Sequence, residues 1–336
     1  MKIKLLTRSS DLNEILLAKL NQIELTGETI DYKRSISPQI ADAEVIVNGF
    51  GIIDKSLIDG CPNLQLIQQT GIGIENVDVR YCTSKSILVA NVPLANAVSV
   101  AEHTLFLLLY LAKNVREKSL ATNNNNNNNN NRSSSLFEKR IPGILGSEIQ
   151  RKVLVIIGFG ATGLEVAKRA KSFGMHVIAV TKNPFLKKPG MDKAYFVDNL
   201  GGSEILSESI SRADYVSLHT PLTEETKNMI GAKELAMMKK SAFLVNVARA
   251  PIVDRDALYT ILSNNKIAGA AFDVFWEEPP NSDDKLLKLN NFMLTPHIAG
   301  WTADSVDAIA RIIATNIERF AQAQIPLTLV NPELTY

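Results

Sequence analysis

The 336-residue sequence predicts an α/β protein built from two doubly wound parallel-sheet domains. Three observations lead there. Short apolar runs alternate with helix-like stretches from end to end, the order that builds parallel sheets with crossover helices. The length suits about two domains. One apolar run, Val153–Ile157, leads directly into Gly158-Phe159-Gly160-Ala161-Thr162-Gly163, and a helical pattern follows from Leu164 to Ala170. That strand–turn–helix context is what a dinucleotide fingerprint requires.

The first series of strand-like runs is Ile3–Leu6, Val45–Asn48, Leu66–Gln69 and Ile87–Ala90, with helix-like stretches such as Leu12–Leu20 between them. The opening run is too short for a secretion signal and reads as a strand. The densest apolar stretch, Thr104–Ala112, falls well short of the roughly 20 residues that span a bilayer, and reads as a core helix. A second series begins at Val153 and continues through His176–Val180, Tyr215–Leu218, Phe243–Val247, Ile267–Phe272 and Phe292–Leu294. A long amphipathic helix is expected over Thr302–Gln322. Residues 123–135, an asparagine tract ending in Arg132-Ser133-Ser134-Ser135, have no apolar side chains to bury and read as a disordered surface insertion.

Composition narrows the partners. Apolar residues make up 46% and the formal net charge is +1, so neither nucleic acid nor a membrane is expected. Two cysteines, Cys61 and Cys82, make no disulfide framework. The cytoplasm is the expected location, and no metal is expected.

Within the fingerprint, Gly158 allows the tight turn, Gly160 lets backbone approach a pyrophosphate, and Gly163 lets the helix pack on the strand. The helix N-terminus then offers unpaired N–H groups to the phosphates. NAD or NADP is therefore expected as cofactor.

Four further regions surround this motif. They are Thr70-Gly71-Ile72-Gly73-Ile74-Glu75-Asn76-Val77-Asp78, the stretch Asn91–His103, Val245-Asn246-Val247-Ala248-Arg249-Ala250-Pro251, and the closing pair Ala271–Pro280 and Leu294–Gly300. In this order, over nearly the whole chain, they resemble the D-isomer-specific 2-hydroxyacid dehydrogenases. The resemblance implies a Rossmann nucleotide-binding domain, residues 100–298, inserted in a flavodoxin-like substrate-binding domain made of residues 1–99 and 299–336, with the site in the cleft. It implies that Arg249 holds the substrate carboxylate and carbonyl, for which a planar guanidinium is suited. His297 becomes the acid–base residue, since imidazole titrates near working pH, and Glu278 orients its ring. The amides of Ile72 and Gly73 take the carboxylate, while Phe50 is read either as a contact to the substrate side chain or as packing within its own loop. The fingerprint residues, Thr181, Lys182, His219, Thr220, Pro221, Val247, Ala248, Asp273 and His297 line the cofactor. Asp273 would bond the nicotinamide carboxamide, while His219 is read as cofactor-adjacent and not catalytic.

The implied reaction is hydride transfer between NAD(P)H and a small 2-oxo acid, most simply glyoxylate or hydroxypyruvate. D-3-phosphoglycerate oxidation and a non-enzymatic, nucleotide-sensing corepressor are the alternatives. A homodimer through the nucleotide domain is expected from the family. Three departures from the family pattern bear on this. Ala250 replaces a glycine, which matters only if that backbone needs positive φ. The segment Val47-Asn48-Gly49-Phe50-Gly51 lacks the arginine that a phosphorylated substrate would favour, and no regulatory domain is expected after Tyr336. Finally, Val180-Thr181-Lys182-Asn183 lacks the acid that binds an NAD ribose, so NADP is slightly favoured.

Overall fold

The computed structural model describes residues 1–49, 51–115, 145–184 and 193–335. The expectations for Phe50 and for the 123–135 tract lie outside the described residues. The chain divides into two units, Met1–Asn96 with Trp301–Tyr336, and Ala97–Gly300.

In the first unit, β1 (Ile3–Leu6), β2 (Gly27–Thr29), β3 (Val45–Asn48), β4 (Leu66–Gln69) and β5 (Leu88–Ala90) form one parallel sheet in the order β2-β1-β3-β4-β5. The helices are α1 (Ser10–Gln22), α2 (Ile36–Ile40), α3 (Lys55–Asp59) and α4 (Val79–Ser84). Strands β1, β3 and β4 are buried at every position, as parallel strands covered on both faces should be.

The second unit holds α5 (Ala97–Ala112), β6 (Val153–Ile157), α6 (Ala161–Ser172), β7 (His176–Val180), β8 (Asn199–Gly201), α7 (Leu206–Arg212), β9 (Tyr215–Leu218), α8 (Ala232–Met237), β10 (Phe243–Asn246), α9 (Arg255–Ser263), β11 (Gly269–Phe272) and β12 (Phe292–Leu294). Its seven-stranded sheet runs β12-β11-β10-β9-β6-β7-β8, all parallel. Strand β6 thus has β7 on one side and β9 on the other, and the order reverses there. Ligands of open α/β sheets bind at the carboxyl ends of strands at such a reversal.

The last helix, α10 (Ala303–Ala321), belongs to the first unit. Thr302 caps it, its hydroxyl accepting from Ser305 N–H while Ser305 Oγ accepts from Thr302 N–H. Val306, Ile309, Ala310, Ile313, Ala314 and Ile317 form its buried stripe. They pack with Leu5, Leu12, Leu16, Leu20, Val45, Val47 and Leu66. Each large side chain buried this way contributes about 1.5–3 kcal/mol. Among the described residues no helix is long and apolar enough to cross a membrane.

One polar residue interrupts the buried stripe of α10. Asn316 is fully buried, and its Nδ2 donates to Gln68 Oε1 at 2.8 Å and to Thr328 Oγ1 at 2.8 Å. Its Oδ1 accepts from Leu327 N–H at 2.9 Å. Helix, central strand and C-terminal segment are joined at this amide. Replacing Asn316 by leucine strands the groups it satisfies. The expected loss is about 3 kcal/mol, since each orphaned buried group costs about 1–3 kcal/mol. A lowered urea midpoint for the first unit would show it, and an unchanged midpoint would contradict it.

Candidate functional site

The fingerprint turn is built by three glycines in different ways. Gly158 has φ +96°, and a Cβ built on it would lie 2.5 Å from the carbonyl carbon and oxygen of His219 and 2.6 Å from Thr220 N. The backbone leaving β6 therefore runs against the backbone leaving β9, held by His219 N–H to Ile157 O at 2.7 Å. Gly163 must stay small because its Cβ would meet Gly158 O at 2.3 Å. Around Gly160, by contrast, an added Cβ meets nothing within 4 Å.

Gly160 is also the N-cap of α6, and it offers no capping side chain. Among the described residues, five other helices are capped by a side chain, from Ser9, Asp54, Asp78, Asp254 and Thr302. An uncapped start leaves first-turn N–H groups for an anion, with open space in front of them. These residues fit a pyrophosphate-bearing cofactor. Phe159 is buried behind the turn.

The neighbouring loops carry the remaining expected cofactor residues. His219 shares a 2.7 Å hydrogen bond between Nε2 and Ser217 Oγ, while its buried Nδ1 has no partner among the described residues. Burial drives its pKa down to about 3, so the ring stays neutral at working pH. Thr220 is half-buried, and Pro221 is exposed with its carbonyl accepting from Thr226 Oγ1 at 2.7 Å. At the end of β7, Thr181 N–H donates to Gly201 O at 2.9 Å. Lys182 is exposed, and its ammonium pairs with Glu225 at 2.5 Å. Nothing in the local sequence signals this partner, which lies far along the chain.

Arg249 follows β10 in extended conformation, φ −143°. Fully buried Asn246 shapes the turn, accepting from Ala248 N–H at 3.0 Å and donating to Arg249 O at 2.9 Å. Val247 and Ala248 are half-buried on it. Ala250 opens a 3₁₀ turn and is not among the residues with positive φ, so alanine is unstrained there.

His297 does have positive φ, +54°. Such a conformation costs a non-glycine residue about 1 kcal/mol or more. The turn that imposes it is gripped by Asp273, which is 1% exposed. One Asp273 oxygen accepts from Thr295 Oγ1 at 2.5 Å and Ile298 N–H at 3.0 Å, and the other from Ala299 N–H at 2.8 Å. His103, on α5, lies 3.1 Å from Thr295 Oγ1, and burial, against the pull of Asp273, lowers its pKa. The His297 ring reaches out of this frame, 39% exposed, with Nδ1 2.7 Å from Glu278 Oε2. The other Glu278 oxygen accepts from Phe275 N–H at 2.9 Å. Burial tends to raise the Glu278 pKa. The bonds from His297 and Phe275, with the charges of His297 and Arg249, outweigh it and hold the carboxyl below its usual value.

In the first unit, Ile72 is exposed and Gly73 half-buried, on a turn after β4. Neither amide N–H has an acceptor among the described residues. A buried amide network shapes the neighbourhood. Asn48 Nδ2 donates to Gln69 Oε1 at 3.0 Å, Gln69 Nε2 to Asn76 Oδ1 at 2.5 Å, and Asn76 Nδ2 to Gly51 O at 2.7 Å. Asn48 is therefore spent on structure.

Comparison with known proteins agrees with this layout. Residues 105–299 match the family model of the D-isomer specific 2-hydroxyacid dehydrogenase, NAD binding domain. A D-3-phosphoglycerate dehydrogenase of Methanocaldococcus jannaschii is 36% identical over 94% of this chain, which spans only 56% of that relative's length. A glyoxylate reductase of Thermococcus litoralis is 36% identical over 84% of this chain and 81% of its own. The solved D-lactate dehydrogenase of Aquifex aeolicus, complexed with NAD and lactic acid, is 28% identical with a TM-score of 0.81, covering 98% of this chain and 99% of that one.

The two turn glycines separate stability from binding. Gly158→Ala should cost about 2 kcal/mol or more, because strain and a backbone clash coincide. Gly160→Ala should leave the melting temperature nearly unchanged yet weaken NADH binding at least several-fold, read by fluorescence titration. Equal effects on both properties in both variants would contradict this division.

Below neutral pH, Glu278 should also register. Its folded pKa is depressed, so its stabilising contribution is complete above the unfolded value, about 4.3, and is lost as pH falls through the folded value. Glu278→Gln should flatten the acid limb of the melting-temperature profile below about pH 4.5. An unaltered limb would show that the pair is uncoupled from folding.

Proposed function

This chain belongs to the D-isomer specific 2-hydroxyacid dehydrogenases, oxidoreductases that use NAD or NADP, and we propose that it reduces a small 2-oxo acid, glyoxylate or hydroxypyruvate, to the 2-hydroxy acid. The observation that carries this is the exposed His297 ring held through Nδ1 by Glu278 at 2.7 Å. With the Nδ1 proton donated to a carboxylate, Nε2 is left to face the substrate oxygen.

The reduced nicotinamide supplies the hydride. Protein groups supply the rest. Arg249 holds the substrate carboxylate and polarises its carbonyl with a planar, permanently charged fork. Protonated His297 delivers its Nε2 proton to the carbonyl oxygen, and Glu278 stabilises the charged ring beforehand. Asp273 keeps the turn in register through its three hydrogen bonds, the role its surroundings support best. In the first unit the free Ile72 and Gly73 amides offer two donors to a carboxylate.

An unphosphorylated substrate is supported by Asn48, whose amide is engaged with Gln69 and Gly51 at the end of β3. The segment Asn48-Gly49-Phe50-Gly51 carries no cation of its own to meet a phosphate. A sensor without chemistry would have no need of a proton donor held in a left-handed turn.

The setting follows the same reading. Leu105, Phe106, Leu109, Tyr110, Val115 and Phe173 line an apolar hollow of about 520 Å³ beside α5, and we place a homodimer contact there. Two buried free thiols, Cys61 and Cys82, suit the cytoplasm.

Initial rates with glyoxylate, hydroxypyruvate, pyruvate and 3-phosphohydroxypyruvate, each with NADH and NADPH, test the assignment. Turnover of the phosphorylated acid alone would replace it with the phosphoglycerate reaction. His297→Asn should lower kcat by about 10²- to 10⁴-fold while leaving NADH affinity intact. Arg249→Lys should raise KM and lower kcat together, because lysine keeps the charge and loses the fork. Near-parental kinetics in either variant would remove that residue from the mechanism.

A further inference from the structure

The ion pair between Lys182 and Glu225 joins the two loops that flank the fingerprint turn. Lys182 lies just beyond β7 and Glu225 in the loop beyond β9, while β6, whose end carries the turn, runs between those strands. The bridge therefore spans the carboxyl end of β6, where the cofactor's adenosine end is expected. Both anchors are fixed. Thr226 Oγ1 donates to Pro221 O at 2.7 Å and accepts from Thr223 N–H at 2.8 Å, tying the Glu225 loop to itself. Thr181 N–H is held on Gly201 O at 2.9 Å.

We propose that Glu225 is a specificity-determining residue, set from the β9 loop across to the β7 end, where it occupies Lys182 and turns the site towards NAD and away from NADP. The proposal rests on the NAD(P) reading above and deepens it. The strand end itself has no acid, since Thr181-Lys182-Asn183 stands where NAD-binding folds place one. Read alone, that segment leaves an ammonium free to meet a 2′-phosphate. In the folded chain the ammonium already has a partner. A 2′-phosphate must displace Glu225 from Lys182 and then lie beside the displaced carboxylate. A 2′-hydroxyl carries no charge and can donate to that carboxylate instead. Lys182 and Glu225 are 75% and 70% exposed, so solvent and salt screen the pair and the discrimination is moderate.

Adenosine fragments isolate this contact from catalysis. Calorimetric titration of the full chain with 2′,5′-ADP and with 5′-AMP compares a ligand carrying the 2′-phosphate with one lacking it. Glu225→Gln should tighten 2′,5′-ADP by about three- to tenfold and leave 5′-AMP nearly unchanged. Lys182→Gln in that background should abolish the gain, because the freed ammonium is its source. High salt should shrink the gain in the single variant. An unchanged ratio of the two affinities in Glu225→Gln, or an equal change for both ligands, overturns the proposal. So does a gain that survives the loss of Lys182. Absence of NADH binding would sink the cofactor reading itself, whereas an unchanged fragment ratio sinks only the role of Glu225.

Discussion

The second unit is organised by a place where two stretches of backbone meet with no room for a side chain between them. The chain leaving β6 presses on His219 and Thr220 at Gly158, and much else follows from that contact. It sets where α6 begins, and therefore where its open N–H groups point. It brings the β9 loop beside the end of β6, close enough for an ion pair to cross to the β7 side. The buried imidazole of His219 stays uncharged next to this crossing, so the electrostatics facing an anion come from α6 and the surface loops.

A second division of labour serves the proton-transfer end. Two acids act on one histidine in different ways. Asp273 is buried and meets the backbone just after His297 and the Thr295 hydroxyl just before it, fixing the turn. Glu278 is partly exposed and meets the ring. The left-handed conformation of His297 is tolerable because the buried acid over-determines the turn around it. The exposed acid is then free to tune charge without also carrying the architecture.

Much of this was legible in the sequence, because parallel strands buried on both faces are continuous apolar runs. Strands β3, β4, β7, β9 and β12 coincide with the runs that announce them. Strands β2 and β8 were not announced. Both are three-residue edge strands, Gly27-Glu28-Thr29 and Asn199-Leu200-Gly201, too short and too polar to show a pattern. Arg249, Glu278 and His297 came from motif resemblance, and the structure puts the last two in contact. Asn246 and His103 stood in the motif segments without an assigned role, and Glu225 was not singled out, for another reason. Each matters through a hydrogen bond or charge to a partner whose proximity only the fold creates, and nothing in local spacing signals that. Lys182 is the sharpest case, since a lone cation in sequence is half of an ion pair in space.

The split composition of the first unit also orders events during synthesis. Its sheet is encoded at the start of the chain, but the apolar stripe of α10 that covers one face comes only after the whole of the second unit. Domains tend to fold as they emerge from the ribosome. Here the earlier-made piece must wait, with Leu5, Val45, Val47 and Leu66 lacking part of their cover, while the later-made piece can complete its core alone. A ribosome stalled within the second unit would thus leave a parallel sheet whose cover still lacks α10. That nascent form, rather than the finished protein, is where chaperone demand and aggregation should concentrate.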